Sequence, residues 1–478
     1  VYVLFTCLWT YVIKHKIYLT GREKLRRTEE IPSVFLSAPQ KNAAGSSTGL
    51  LRLSALPLRG VLRLCYTHPA MRLTNRAKIL YKDYPRQFWL MITGIVLATA
   101  GGSMIWPFML IYASGKLALP LSTVATLISI NAGTGLLSSL IAGSLADKIG
   151  RKVVMNFSLT MTGLAYFLLM RADTYWQFVG LMVMIGFSNP LYQVGADAML
   201  ADMIPSEKRT DAYAINRIAS NAAFALGPAI GGFLATRSYN LAFYAAGTGF
   251  IAYSLLLFFL AHETLNKSSV NISIPASGTE GYRRVIQDKN YMVSVALISL
   301  GLIAPTLLWI LMPVYAKTNY GVPEVLYGWI PTTNALMCVF VQYSVTSITR
   351  RHRTLPVLGA GMLIYALGVG SVALMSGFWG FWLSMVILTF GELTLVPTAS
   401  KYVADLAPAD LRGRYMSIYW LGWGLARTLA PIIGGFLNDN LAPRAIWIGG
   451  LLIGLTSTLG LLLLSRVSVP RAMPLTEP

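Results

Sequence analysis

Twelve stretches of about 20 residues, each almost free of charge, follow one another between Phe88 and Arg466. A helix rises about 1.5 Å per residue, so each stretch is long enough to cross a hydrocarbon core about 30 Å thick. They lie at roughly 88–113, 121–143, 153–171, 176–200, 212–236, 240–261, 290–315, 325–348, 355–376, 379–403, 413–437 and 443–466. Only 12% of the chain is charged, about half the share usual in soluble domains. The expectation is an all-α polytopic membrane protein with no soluble catalytic domain.

The net charge of +20 raises nucleic acid as a partner. The bases, however, gather in alternate loops rather than on one folded face. Arg76, Lys78, Lys82 and Arg86 precede the first stretch, and Lys148, Arg151 and Lys152 follow the second. Lys208 and Arg209 follow the fourth, Arg283, Arg284 and Lys289 precede the seventh, Arg350, Arg351 and Arg353 follow the eighth, and Arg412 and Arg414 follow the tenth. The intervening loops hold scattered charges only. This asymmetry places the basic loops and both termini in the cytoplasm, and leaves the lipid bilayer, not nucleic acid, as the macroscopic partner. The expected location is a cell membrane of the bacterial inner or plasma type.

Residues 1–87 read as a leader, largely disordered or lying on the membrane surface. Its apolar run Val1–Ile13 is too short to span and precedes Lys14, Lys16, Arg22, Lys24, Arg26 and Arg27, the reverse of a signal peptide. Residues 262–289 read as a cytoplasmic linker between two six-span bundles, 88–261 and 290–466, and 467–478 as a tail. The three cysteines, Cys7, Cys65 and Cys338, have no ligand spacing, and His15, His68, His262 and His352 are scattered. No metal, cofactor or enzymatic constellation is expected.

The two bundles are related. ADMIPSEKR at Ala201–Arg209 aligns with ADLAPADLR at Ala404–Arg412, and at the same offset of about 203 residues PAIGGFL at Pro228–Leu234 falls on PIIGGFL at Pro431–Leu437. A gapless double match indicates duplication: two related units of six helices each.

Between the second and third stretches lies GSLADKIGRK, Gly143–Lys152. Gly143 is expected to end one helix and Gly150 to turn the chain. Gly143, Leu145, Asp147, Lys148, Gly150, Arg151 and Lys152 resemble the signature loop of the major facilitator superfamily, whose members carry twelve helices in two pseudo-symmetric bundles. The second-half counterpart, near Ser347–Arg353, has neither the acid nor the glycines. The resemblance implies that Asp147 sits against the N-terminus of the eleventh helix, here near Leu411–Arg414, and that Arg151 pairs with Asp202. Gly143, Asp147, Gly150, Arg151 and Asp202 would then form a conformational latch closing the cytoplasmic side, with contacts of roughly 1.5–3 kcal/mol each.

Charges at membrane depth are costly and point to function. Glu392 lies about twelve residues, roughly 18 Å, into the tenth span, and Arg427 reaches similar depth in the eleventh. Their repeat counterparts are Asn189 and Phe224, so the charges belong to the second half alone. They are candidates for proton coupling, with Arg427 pairing to Glu392 and modulating it; a structural ion pair or direct binding of a cationic substrate are the other roles open to Glu392. Nearer the cytoplasmic ends, Asp197 and Arg217 are expected to pair with each other.

Gly227, Pro228, Gly231 and Gly232 form GPAIGG in the fifth span, which resembles the antiporter motif of drug–proton exchangers: small residues for close helix approach and a proline for bending. Two departures weaken that match. Ala214 and Ala223 stand where the family has glycines, and Met182 stands where drug antiporters carry an arginine. Trp106, Asn131, Asn189, Asn334 and Trp420, with Phe108, Tyr192, Asn221, Trp309 and Tyr365, are candidates for lining an apolar cavity.

The resemblance implies a monomeric secondary transporter, similar to the drug–proton antiporter branch, that exchanges a small amphipathic molecule for protons. An importer or uniporter of a sugar, metabolite or peptide is the nearest alternative. A non-transporting scaffold or receptor of the same fold is the alternative from another class.

Overall fold

The computed structural model describes residues 83–265, 278–408 and 411–467. The bulk of the leader, the middle of the linker and the C-terminal tail lie outside them. Every regular element in the described residues is a helix. The first half holds α1 (Arg86–Leu117), α2 (Leu121–Ile149), α3 (Arg151–Leu169), α4 (Tyr175–Met203), α5 (Ser206–Arg237) and α6 (Tyr239–Leu260). A short helix in the linker region, α7 (Gly278–Gln287), precedes the second half. That half is built from α8 (Lys289–Gly301), α9 (Ile303–Tyr320), α10 (Glu324–Tyr327), α11 (Trp329–Phe340), α12 (Gln342–Thr349), α13 (Thr354–Ser371), α14 (Gly377–Leu406), α15 (Arg412–Asn440) and α16 (Ala445–Val467).

Among the described residues ten helical segments are long and apolar enough to cross a membrane, with α8 and α9 counted as one, Lys289–Tyr320. The two expected spans that fall short do so for different reasons. α15 carries Arg412, Arg414, Arg427 and Asp439 among many glycines, which dilutes its hydropathy. The expected span 325–348 is instead three short helices, α10 to α12. Proline explains two of the breaks in this half. Pro305 has no N–H for the carbonyl of Gly301, where α8 ends, and Pro331 has none for the carbonyl of Tyr327, where α10 ends.

Gly143 does not end a helix. α2 continues through it to Ile149, and nothing lies within 4 Å of where its Cβ would be. The chain turns at Gly150 alone, with φ +115° and ψ 146°, a region essentially closed to residues with a side chain.

Glycines set the helix spacing. A Cβ on Gly227 or Gly231 would overlap Ser103 or the Met104 carbonyl of α1. In the second half a Cβ on Gly422 would overlap Ser299 of α8. Burial against neighbours, not amphipathic patterning, holds these helices in place. Phe88, Phe178, Phe243, Tyr291, Tyr365, Phe381 and Trp447 are fully or almost fully buried. Leu374, Trp379, Phe259 and Leu140 lie on the outer surface.

Candidate functional site

Three clusters of polar groups are stacked along the long axis of the bundle. The first is at the end carrying the basic loops. Arg151, the first residue of α3, forms an ion pair with Asp202 near the end of α4, and its Nη2 lies 3.5 Å from Asp147. Thr264 donates to the other side of this group, Oγ1 to Asp202 at 3.0 Å. A residue that the sequence reading missed completes it. Glu263, just past α6, accepts the backbone N–H groups of Arg151 at 3.1 Å and Lys152 at 3.0 Å, and so caps α3. The Gly150 turn makes room for it: a Cβ at that position would lie 2.6 Å from Glu263 Oε2.

Asp147 does not sit at the start of α15. Its partner is Arg151, one turn further on, and its side chain is more than half exposed. The cluster therefore ties α2, α3, α4 and the end of α6 together within the first half.

The second cluster lies midway along α14. Asn334 of α11 donates through Nδ2 to Glu392 Oε2 of α14 at 2.8 Å and to Thr389 Oγ1 at 3.0 Å. Glu392 thus points into the second half and not toward the acyl chains. It is not paired with Arg427: among the described residues Glu392 has no ion-pair partner and Arg427 has neither an ion pair nor a hydrogen bond. Arg427 is exposed, and shares its face of α15 with Trp420, seven residues earlier and 56% exposed. Leu425, Leu429, Ile432 and Phe436 are also exposed but lie roughly 140–200° around the helix from Arg427. That apolar face suits lipid, which turns Arg427 and Trp420 toward the space between the halves.

The other expected cavity residues separate into two groups. Asn189 and Trp106 are exposed, like Trp420. Asn131 is buried, with Nδ2 held by the Met182 carbonyl at 3.0 Å. Phe108 and Tyr365 are core packing, the former edge-on to Tyr327. Trp309 stands edge-on to Phe224 across the two halves, with ring centroids 6.3 Å apart. Asp197 and Arg217 are not paired either. Both oxygens of Asp197 accept from Gln193 Nε2, at 3.2 and 3.1 Å, one turn earlier on the same helix.

The third cluster is at the end away from the basic loops, where the halves meet. Tyr239 donates to Glu324 Oε1 at 2.5 Å, and Lys317 reaches Glu324 Oε2 at 3.0 Å. The N–H of Val325 donates to Thr236 Oγ1 at 3.2 Å, and Thr332 Oγ1 donates to the Ala225 carbonyl at 2.7 Å. On the other side of the bundle the N–H of Ser122 donates to Asp439 Oδ2 at 2.8 Å. The GPAIGG segment is part of this contact, since a Cβ on Gly232 would overlap the Glu324 carbonyl and one on Gly328 the Pro228 carbonyl. Sequence reasoning assigned these glycines to close helix approach and Pro228 to bending; here Gly232 lies where helices of the two halves touch.

Comparison with known proteins agrees with this architecture. The Na(+), Li(+), K(+)/H(+) antiporter of Planococcus maritimus is 24% identical over 73% of this chain and 89% of its own length. The quinolone resistance protein NorA of Staphylococcus aureus is 23% identical over 74% of this chain and 90% of its own. Among solved structures, the nucleoside transporter NupG aligns with a TM-score of 0.66 at 12% identity, over 80% of this chain and all of that one. A bacterial homologue of the human lysosomal transporter Spinster, in an inward-facing and occupied conformation, aligns at 0.65 and 12%, over 80% and 96%. At such identities the structures establish the fold alone. Residues 91–305 and 293–477 both match the Major Facilitator Superfamily, so this chain, a multi-pass membrane transporter and not an enzyme, belongs to that family.

Proposed function

We propose that this transporter expels amphipathic, drug-like compounds in exchange for protons, by alternating access between its two halves. The observation that carries the proposal is Glu392: an acid at mid-depth, held by the neutral donor Asn334 and left without a cationic partner. A carboxylate so placed can bind and release a proton as its surroundings change, without an ion pair that would have to be broken first. Arg427, turned toward the space between the halves, is suited to draw the proton off when that space closes around it. The names of two relatives, a cation/proton antiporter and a quinolone resistance protein, support the same reading.

In this reading the basic loops face the cytoplasm, and the joining of the halves at the opposite end supports assigning this state as the one open to the inside. In this reading the outward-facing state brings the start of α15 to Asp147, and the cluster of Asp147, Arg151 and Asp202 then becomes the inner latch. The leader, linker, two bundles and tail keep the division read from the sequence, with both termini inside and the chain acting as a monomer.

The test is proton flux in vesicles containing the purified protein, challenged with lipophilic cations and with neutral solutes. Wild type should exchange protons for at least one lipophilic cation. Glu392→Gln keeps an acceptor for Asn334 but cannot carry charge, and should lower coupled flux at least tenfold. Flux that is equal in the two proteins, or that neutral sugars or peptides drive better, overturns the proposal.

A further inference from the structure

A second acid within the spans has no role in the exchange just described. Asp197 lies on α4 in the lining of a small cavity between α1, α4 and α5. The polar groups lining it are Thr99, Tyr192, Gln193, Asp197, Asn216 and Ser220. Nearly all can accept hydrogen bonds, and the amide of Gln193 is already directed at both oxygens of Asp197. No lysine or arginine lines the cavity, and among the described residues Asp197 has no ion pair.

One further atom in the lining lacks what it needs. Asn216 Oδ1 is buried and, among the described residues, has no hydrogen-bond partner. A buried acceptor left unsatisfied costs about 1–3 kcal/mol, so one beside an unpaired carboxylate in the same cavity calls for an occupant. Asn216 Oδ1 can only accept, and the carboxylate can only accept while ionised. The occupant must therefore bring positive charge or donors.

Size narrows it further. The free volume is about 50 Å³, whereas one water requires about 10–15 Å³ by the same measure. An ion with a few waters fits, and a drug-sized solute, needing roughly 300 Å³ or more, does not. One carboxylate among neutral oxygens balances one positive charge; divalent ions usually draw on more carboxylates or on phosphate.

We propose that this cavity binds one alkali-metal cation, with Asp197 as the charged ligand and Asn216 Oδ1 among the neutral ones. The cation would join α4 to α5 in the first half, apart from Glu392 in the second. Its use as a coupling ion rests on the transport reading, but its binding does not.

The experiment is thermal unfolding of the purified protein in detergent with Na+, Li+ or K+, each replaced by N-methyl-D-glucamine at constant ionic strength. Binding to the folded state should raise the wild-type midpoint saturably, by about 2–4 °C for at least one of the three ions. Asp197→Asn should abolish the rise, and the milder Asn216→Ala should move its half-saturation at least fivefold to higher concentration. Glu392→Gln should retain it, whatever its effect on flux, so failure of the exchange reading and failure of this one are told apart. A midpoint indifferent to all three ions, or a rise undiminished in both cavity variants, overturns the proposal. So does a response to pH alone, which would make Asp197 a proton site.

Discussion

The Asp439 carboxylate, in the last turn of α15, accepts the backbone N–H of Ser122, in the first turn of α2, at 2.8 Å across the two halves. Its partner in the repeat is Thr236, which accepts the N–H of Val325 at 3.2 Å. The residues before these N–H groups also correspond: Pro120 and Pro323 occupy the N-cap positions of α2 and α10, and neither offers a side-chain cap. Each helix start is thus left with open donors that only the opposite half satisfies. The duplication has built the same joint twice, charged on one side and neutral on the other.

Asp439→Ala should loosen this joint. Loss of a helix cap costs about 0.5–2 kcal/mol, and because Asp439 is exposed to solvent the lower part of that range applies. The population open at this end should rise about two- to fivefold. Spin labels at Leu119 and Leu441, on either side of the joint, would read this as growth of a longer-distance component. An unchanged distribution would count against the joint.

The same contact predicts its pH dependence. Burial raises the carboxyl of Asp439, but the hydrogen bonds from Ser122, Asn438 and the start of α2 outweigh it and hold the group below its ordinary value. A carboxylate depressed by a contact contributes fully above its free value, about 3.9, and loses that contribution as pH falls through the depressed one. The wild-type distance distribution should therefore stay constant from pH 8 to 5 and broaden only below about pH 4. Glu324, on the other side, is also a carboxylate, so the difference between wild type and Asp439→Asn isolates the Asp439 share. A transition near pH 6 in that difference would contradict the assignment.

Glycine substitutions should divide by position rather than by motif. Gly232→Ala and Gly435→Ala place a methyl group against backbone, at the Glu324 carbonyl and at the Ser122 Cα, 2.5 Å away in the latter case. Backbone on both sides leaves little room to adjust, so each should push the halves apart and open this end at least tenfold more often. Gly143→Ala meets nothing within 4 Å, and inside a helix alanine is favoured over glycine by about 1 kcal/mol. Its melting temperature should hold or rise. A loss of stability there would show that α2 is not helical through Gly143.

At the basic end, Gly150→Ala should lower thermal stability by about 1–3 kcal/mol, from the forced φ and the displaced Glu263. Glu263→Ala should cost about 1 kcal/mol through loss of the α3 cap. Because both act on the same contact, the double variant should lose less than the sum, which a double-mutant cycle in melting temperature would register. Additive losses would mean that the turn and the cap are independent.

The sequence by itself determined the membrane class, the repeat and the family. Each follows from local, countable features: runs too long and too apolar for water, a gapless match at one offset, and a loop whose residues can be read in order. It also gave the position of Glu392 along its helix, because that is set by residue count. It could not give partners. Glu392 turned to Asn334 and not Arg427, Asp197 to Gln193 and not Arg217, and Asp147 to Arg151 and not the start of α15. A pair of charges at equal depth still has to share a face, and the rotation of each helix comes from packing along its whole length. Under the proposed alternating access Asp147 adds a second reason: its distance from α15 would change with the end that is open, and a sequence serves both states. Glu263, Asp439 and Thr236 went unremarked because a cap supplied by a distant part of the chain has no local pattern. Only the tertiary structure brings a helix start beside a side chain more than 80 residues away, and there the bare N–H groups behind Pro120 and Pro323 acquire their meaning.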